Sequence, residues 1–243
     1  MGKKKLLDEY ELKARQLPAF ILIAPIIITL YLWFPSLSTI GKVLGGLVST
    51  LGITYLASKL IRDKGKRLQS SLIKEWGGAL PSTLILRHRD STLDSVTKKR
   101  YHKYLEHNVP GLKMPTKEEE ENDPKSADDK YNSAIKWLLS NTRDTKKYNL
   151  IFKDNITFGF SRNLLSVKIL GVIISLFSLL KDFILFLYKY NVHALKEVNI
   201  NVYIAFTISI IFLYIWICLV NKRWVKSNGY AFARSLLETC DMK

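Results

Sequence analysis

The feature that most restricts this chain is the length of its charge-free runs: residues 16–41 (26 residues), 43–58 (16) and 198–221 (24) carry no Asp, Glu, Lys or Arg. An uncharged apolar run of about 18 residues or more is the signature of a membrane-crossing helix. The rest of the chain is correspondingly polar, since 37 Lys and Arg stand against 21 Asp and Glu in 243 residues, a formal charge of +16. Confining apolar residues to a few blocks argues against a soluble enzyme built on one packed core.

Residues 17–60 would extend about 66 Å as helix at roughly 1.5 Å per residue, twice the depth of a hydrocarbon layer about 30 Å thick. Two spans are therefore expected there, parted at Pro35 and Ser36 just after Trp33 and Phe34, where an interface favours aromatic rings. The second is expected over residues 36–60. A third is expected over 163–190, although it holds Lys168, Lys181 and Asp182, and a fourth over 201–220. The fold class predicted is an all-α membrane protein: four transmembrane helices, with a mainly helical cytoplasmic domain inserted between the second and third. Its parts are residues 1–61, 62–162 and 163–243.

Orientation follows from the cations. Residues 1–17 hold five Lys/Arg, 62–162 hold 21 and 221–243 hold five, against two in the loop after the third span. The positive-inside rule places both termini and the middle segment in the cytoplasm. The basic start runs straight into a full-length span with no small-residue cleavage site, so it reads as a short interfacial helix rather than a signal peptide.

In the insert, 21 Lys/Arg oppose 14 Asp/Glu, and half of the acids fall between 118 and 129. Helices are expected from 58 to 76, ending at Gly77-Gly78; from Asp90 or Ser91 to about His107; and from Ser126 to Asn141. Residues 110–123 read as a solvated linker. Two basic clusters carry the sharpest signal: Arg87, His88 and Arg89, then Lys98, Lys99, Arg100, Tyr101, Lys103 and Tyr104 on a helix. Cations that meet phosphates beside rings that stack on bases suit single-stranded nucleic acid or an oligonucleotide. The plainer reading is a juxtamembrane surface against anionic headgroups.

Small and polar residues mark the spans. Gly45, Gly46, Ser49 and Thr50 give the second span faces suited to close helix packing. On the third, Lys168, Gly171, Ser175, Ser178 and Asp182 fall within an arc of about 80° at 100° per residue, a stripe that lines water or packs against a neighbour. Lys42 and Asp182 both lie about 9 Å below the outer surface, and an isolated charge at that depth is costly, so they are expected to pair or to share an aqueous vestibule. Lys168 and Lys181 are expected only to snorkel. No HExxH, GxSxG, Walker or GxGxxG pattern occurs, the four His and two Cys (Cys218, Cys240) show no metal spacing, and neither a catalytic role, a metal nor a cofactor is expected.

At LRHRD (86–90), TKKRYHKYL (97–105), NTRDTKK (141–147) and NITFGFSRNLLSVK (155–168) the chain resembles four-span membrane effectors encoded beside nucleotidyltransferases in bacterial anti-phage defence, in particular those of Hailong-type systems. The related four-span effectors of cyclic-oligonucleotide signalling stay open as well. The resemblance implies a homo-oligomer, a tetramer favoured, forming an ion channel in the inner membrane. It further implies control by a single-stranded DNA oligonucleotide or another nucleotide signal from a partner nucleotidyltransferase. Opening would depolarise the cell and arrest growth. No individual binding residue carries over. The alternative reading is a membrane scaffold whose basic insert recruits a soluble partner or nucleic acid.

Overall fold

The computed structural model describes residues 9–35, 53–190 and 198–242, and among them every regular element is a helix. Helix α1 (Glu11–Trp33) opens with a wider π turn over Glu11–Gln16. It stops at Phe34 (φ −130°, ψ 74°) because the residue before Pro35 is pushed out of helical space. Helix α2 (Ile53–Trp76) runs unbroken to two left-handed glycines, Gly77 (φ 110°) and Gly78 (φ 88°), and the Gly78 N–H closes onto the Ile73 carbonyl at 2.9 Å. The expected second span falls mostly on residues 36–52, outside the described residues.

After a single helical turn, α3 (Pro81–Leu84), the Asp94 carboxylate accepts from the Thr97 N–H and starts α4 (Ser95–Asn108). That cap lies three or four residues beyond the expected Ser91 or Asp90, because Asp90 instead accepts from the Thr92 N–H at 2.8 Å in a turn. The stretch read as a solvated linker contains α5 (Lys117–Asn122), built on a capping box between Thr116 and Glu119. Next come α6 (Pro124–Asn141), α7 (Asn149–Ser166), α8 (Lys168–Lys189), α9 (Ile200–Leu219, its last turn π) and α10 (Lys222–Leu237), followed by a 3-10 turn over Glu238–Asp241. The third expected span is divided at Val167 between α7 and α8.

Three of these helices, α1 (23 residues), α8 (22) and α9 (20), are long and apolar enough to cross a membrane. That is consistent with a membrane protein. They belong to one compact unit formed by Met1–Leu68 and Gly159–Trp224. In it, Ala19, Leu22, Ile61, Leu164 and Val220 surround the fully buried Trp216. A Cβ built at Gly171 would overlap the Trp216 ring, so glycine is what lets α8 approach α9 there. Lys168 does more than snorkel, since its ammonium donates to the Ile217 and Val220 carbonyls at 2.9 and 2.8 Å, capping the end of α9.

The second unit joins Gln69–Phe158 to Val225–Lys243. Its core takes Tyr101 and Leu105 from α4, Tyr131, Ala134, Ile135 and Leu138 from α6, and Ala233, Leu236, Leu237 and Cys240 from the region grouped in the sequence reading with the last span. Positions 233, 236, 237 and 240 share one helical face, which draws that segment into this core.

Candidate functional site

The two basic clusters meet in the second unit. Residues 95, 98, 99 and 102 lie on one face of α4. With His88, Asp90 and Leu93 they line an open cleft of about 430 Å³. The cations around it hold different positions. The Arg87 guanidinium, 6% exposed, is held by both Asp128 oxygens (2.8 and 2.6 Å) and by the Gly77 carbonyl (2.9 Å). The Lys98 ammonium is buried and donates to the backbone carbonyls of Arg87 (2.7 Å) and Asp90. Its burial lowers its pKa against the opposing pull of Asp90 and Glu120. These two side chains fasten the wall of the cleft, and Lys99 is the cation left exposed at its rim.

Two imidazoles complete that wall, centroids 5.0 Å apart and nearly perpendicular. The Nε2 of His88 meets the Pro115 carbonyl and that of His102 meets the Leu86 carbonyl, each at 2.8 Å. A carbonyl only accepts, so both Nε2 atoms carry a hydrogen. Burial lowers the His102 pKa and keeps it neutral. Beneath lies Glu120, 2% exposed, accepting from the His88 N–H and the Tyr131 hydroxyl, both at 2.7 Å. Although desolvation alone would raise it, these hydrogen bonds together lower the Glu120 pKa. This residue was missed within the run of four glutamates. The signal that finds it is the Thr116/Glu119 capping box, which makes a helix of the run and turns one acid inward.

No family model, curated protein or solved structure matches this chain.

The other predicted binding residues separate from the cleft. Arg89 is half exposed, 3.7 Å from Glu120. Arg100 bonds Asp241 through Nε (2.6 Å) and Nη2 (2.9 Å). Tyr101 is buried, which pushes its hydroxyl up to about 12. Lys103 is exposed, and the half-buried Tyr104 packs on the same core as Tyr148, whose ring lies 5.3 Å from the Lys147 ammonium. Among the described residues no three His, Cys, Asp or Glu side chains gather in a group that could hold a metal.

In the first unit, Gly171, Ser175, Ser178 and Asp182 all turn to the buried side of α8. Lys42, Gly45, Gly46, Ser49 and Thr50 lie outside the described residues, so the expected Lys42 pairing does too. Asp182, 0% exposed, has other partners: its Oδ1 accepts from Lys181 (2.8 Å) and from the Trp33 indole (3.0 Å), and its Oδ2 from Ser209 (2.7 Å). The Lys181 ammonium also donates to Thr29 (2.6 Å), so it belongs to the interior rather than only snorkelling. Thr29 meets Ser178 at 3.1 Å and Ser178 meets Ser209 at 3.0 Å, which closes a ring of hydrogen bonds joining α1, α8 and α9. One turn from Ser178, the fully buried Ser175 hydroxyl has no hydrogen-bond partner among the described residues.

Proposed function

We propose that this chain is the subunit of an oligomeric, four-span membrane ion channel of bacterial anti-phage defence, controlled by an oligonucleotide signal that binds its polar unit. In this reading the protein sits in the inner membrane with both termini and the polar unit cytoplasmic, a nucleotidyltransferase supplies the signal, and the open channel arrests growth. The observation that supports it is the cleft, where the exposed Lys99 stands beside two imidazoles and the partly buried Leu93. A phosphate meets the cation and the apolar wall takes a base. Lys98, Arg87 and Glu120 act as positioning groups, and Arg89 and Lys103 are exposed cations outside the cleft. The spans left uncharged by the sequence would carry the ion pathway between copies.

The test is binding of a fluorescent single-stranded oligodeoxynucleotide to the detergent-solubilised full chain over a range of salt concentrations. The reading predicts affinity that falls steeply with salt and is lost in Lys99→Glu. Binding that ignores Lys99 would reject the cleft as the contact surface.

A second reading, a membrane scaffold that recruits nucleic acid or a soluble partner without conducting, is favoured by one observation. The polar ring of the first unit is closed on itself, so α8 offers its stripe to α1 and α9 rather than to water.

A further inference from the structure

Arg100 has a partner whose placement is determined elsewhere in the polar unit. The buried face of α10 continues through the turn Glu238–Asp241, where Thr239 and Cys240 are each 6% exposed. Anchoring those two side chains in the core sets Asp241 against α4. There its two oxygens face Nε and Nη2 of Arg100 at 2.6 and 2.9 Å, a fork-to-fork arrangement with 52% of the Arg100 and 38% of the Asp241 side chain exposed. The Tyr101 hydroxyl also leans on the same carboxylate. Arg100 shares its exposed helical face with Lys99 and Lys103.

A guanidinium fork accepts a phosphate through the same two-oxygen edge that it offers a carboxylate. An ion pair this exposed contributes weakly to the fold, because water and salt screen it. We propose that Asp241 is a built-in occupant of the Arg100 fork which a phosphate group of an incoming ligand displaces, so that the Glu238–Asp241 turn sets the affinity of the α4 face for polyanions. The clasp rests on reading α4 as the ligand-contact helix, and inorganic pyrophosphate tests it separately from any oligonucleotide.

The experiment measures pyrophosphate and oligodeoxynucleotide binding to the full chain in detergent for wild type, Asp241→Asn, Glu238→Gln, Arg100→Ala and the Arg100→Ala/Asp241→Asn pair. Glu238 is exposed on the same turn, so its substitution removes equal charge without touching the fork. Asp241→Asn is expected to tighten pyrophosphate binding about two- to fivefold, the factor for one exposed ion pair. Glu238→Gln is expected to change it by less than about 1.5-fold through screened charge alone, and Arg100→Ala to erase the Asp241→Asn gain. Equal gains from Asp241→Asn and Glu238→Gln, a gain that survives in Arg100→Ala, or no gain at all would overturn the clasp. A pyrophosphate gain without oligonucleotide binding would uphold the clasp and reject the oligonucleotide reading.

Discussion

The two units bury charge in opposite ways. In the apolar unit the opposite charges are sequence neighbours, Lys181 and Asp182, and every other partner is a hydroxyl or an indole sent in from another helix. In the polar unit Arg87 reaches Asp128 across 41 positions, and Lys98 finds, among the described residues, no carboxylate within bonding distance but two main-chain carbonyls. The difference follows from what surrounds each site. A helix in hydrocarbon has satisfied its own backbone, so a buried charge there must be neutralised by side chains on facing helices. In the polar unit the turns between α3 and α4 leave carbonyls open, and cations close them. Lys181 thus serves a helix-to-helix lock, whereas Arg87 and Lys98 serve loop construction, and the partly buried Lys168 at the end of α9 closes main-chain carbonyls as the latter do.

The sharpest way to break this contrast is to remove one member of the ring. Asp182→Ala leaves the Lys181 ammonium buried without its counter-charge and is expected to cost about 3–5 kcal/mol. Replacing Lys181 with Met and Asp182 with Leu together is expected to cost far less. Thermal unfolding in detergent reads both; equal losses would show that the pair does not work as a unit.

In the polar unit, Arg87→Ala is expected to cost about 2–3 kcal/mol, since Asp128 keeps partial access to water. By contrast Lys99→Glu, at the rim, is expected to stay within about 0.5 kcal/mol while weakening polyanion binding. Denaturant unfolding separates them, and a large stability loss in Lys99→Glu would place Lys99 among the structural cations.

Acidification offers a subtler test. Burial lowers the His102 pKa, so below its ordinary value of 6.5 the unfolded chain binds the proton more readily than the folded one. The stability of the polar unit is therefore full above about pH 6.5 and declines as pH falls below it. Glu120, whose pKa is also lowered, adds a second loss as pH falls below its ordinary value of 4.5. His102→Gln should flatten the first decline only. A profile unchanged by that substitution would assign it to other groups.

Much of the helical scaffold was legible because its signals are local. Pro35 ends α1, Gly77-Gly78 ends α2, and the spacing of Tyr131, Ala134, Ile135 and Leu138 marks α6. The candidate site was legible only by composition. Arg87, Lys98 and Lys99 look alike in sequence, and what separates them is the presence of Asp128 or of an open carbonyl in space. Glu120 was hidden among identical neighbours, of which only one faces Tyr131. The Lys181 partnership was obscured by its position near a helix end, where a long cation ordinarily reaches for water. The helix ending at Leu237 belongs with the polar core because of an apolar face only four residues deep, too short to register beside the adjacent span.

Ion flux from vesicles reconstituted with the purified chain asks whether a membrane-crossing unit responds to polyanions at the polar one. Potassium leakage is expected to change when a single-stranded oligodeoxynucleotide is added on the side of the polar unit, with no such response in Lys99→Glu. Vesicles whose leakage is identical with and without oligonucleotide would contradict it.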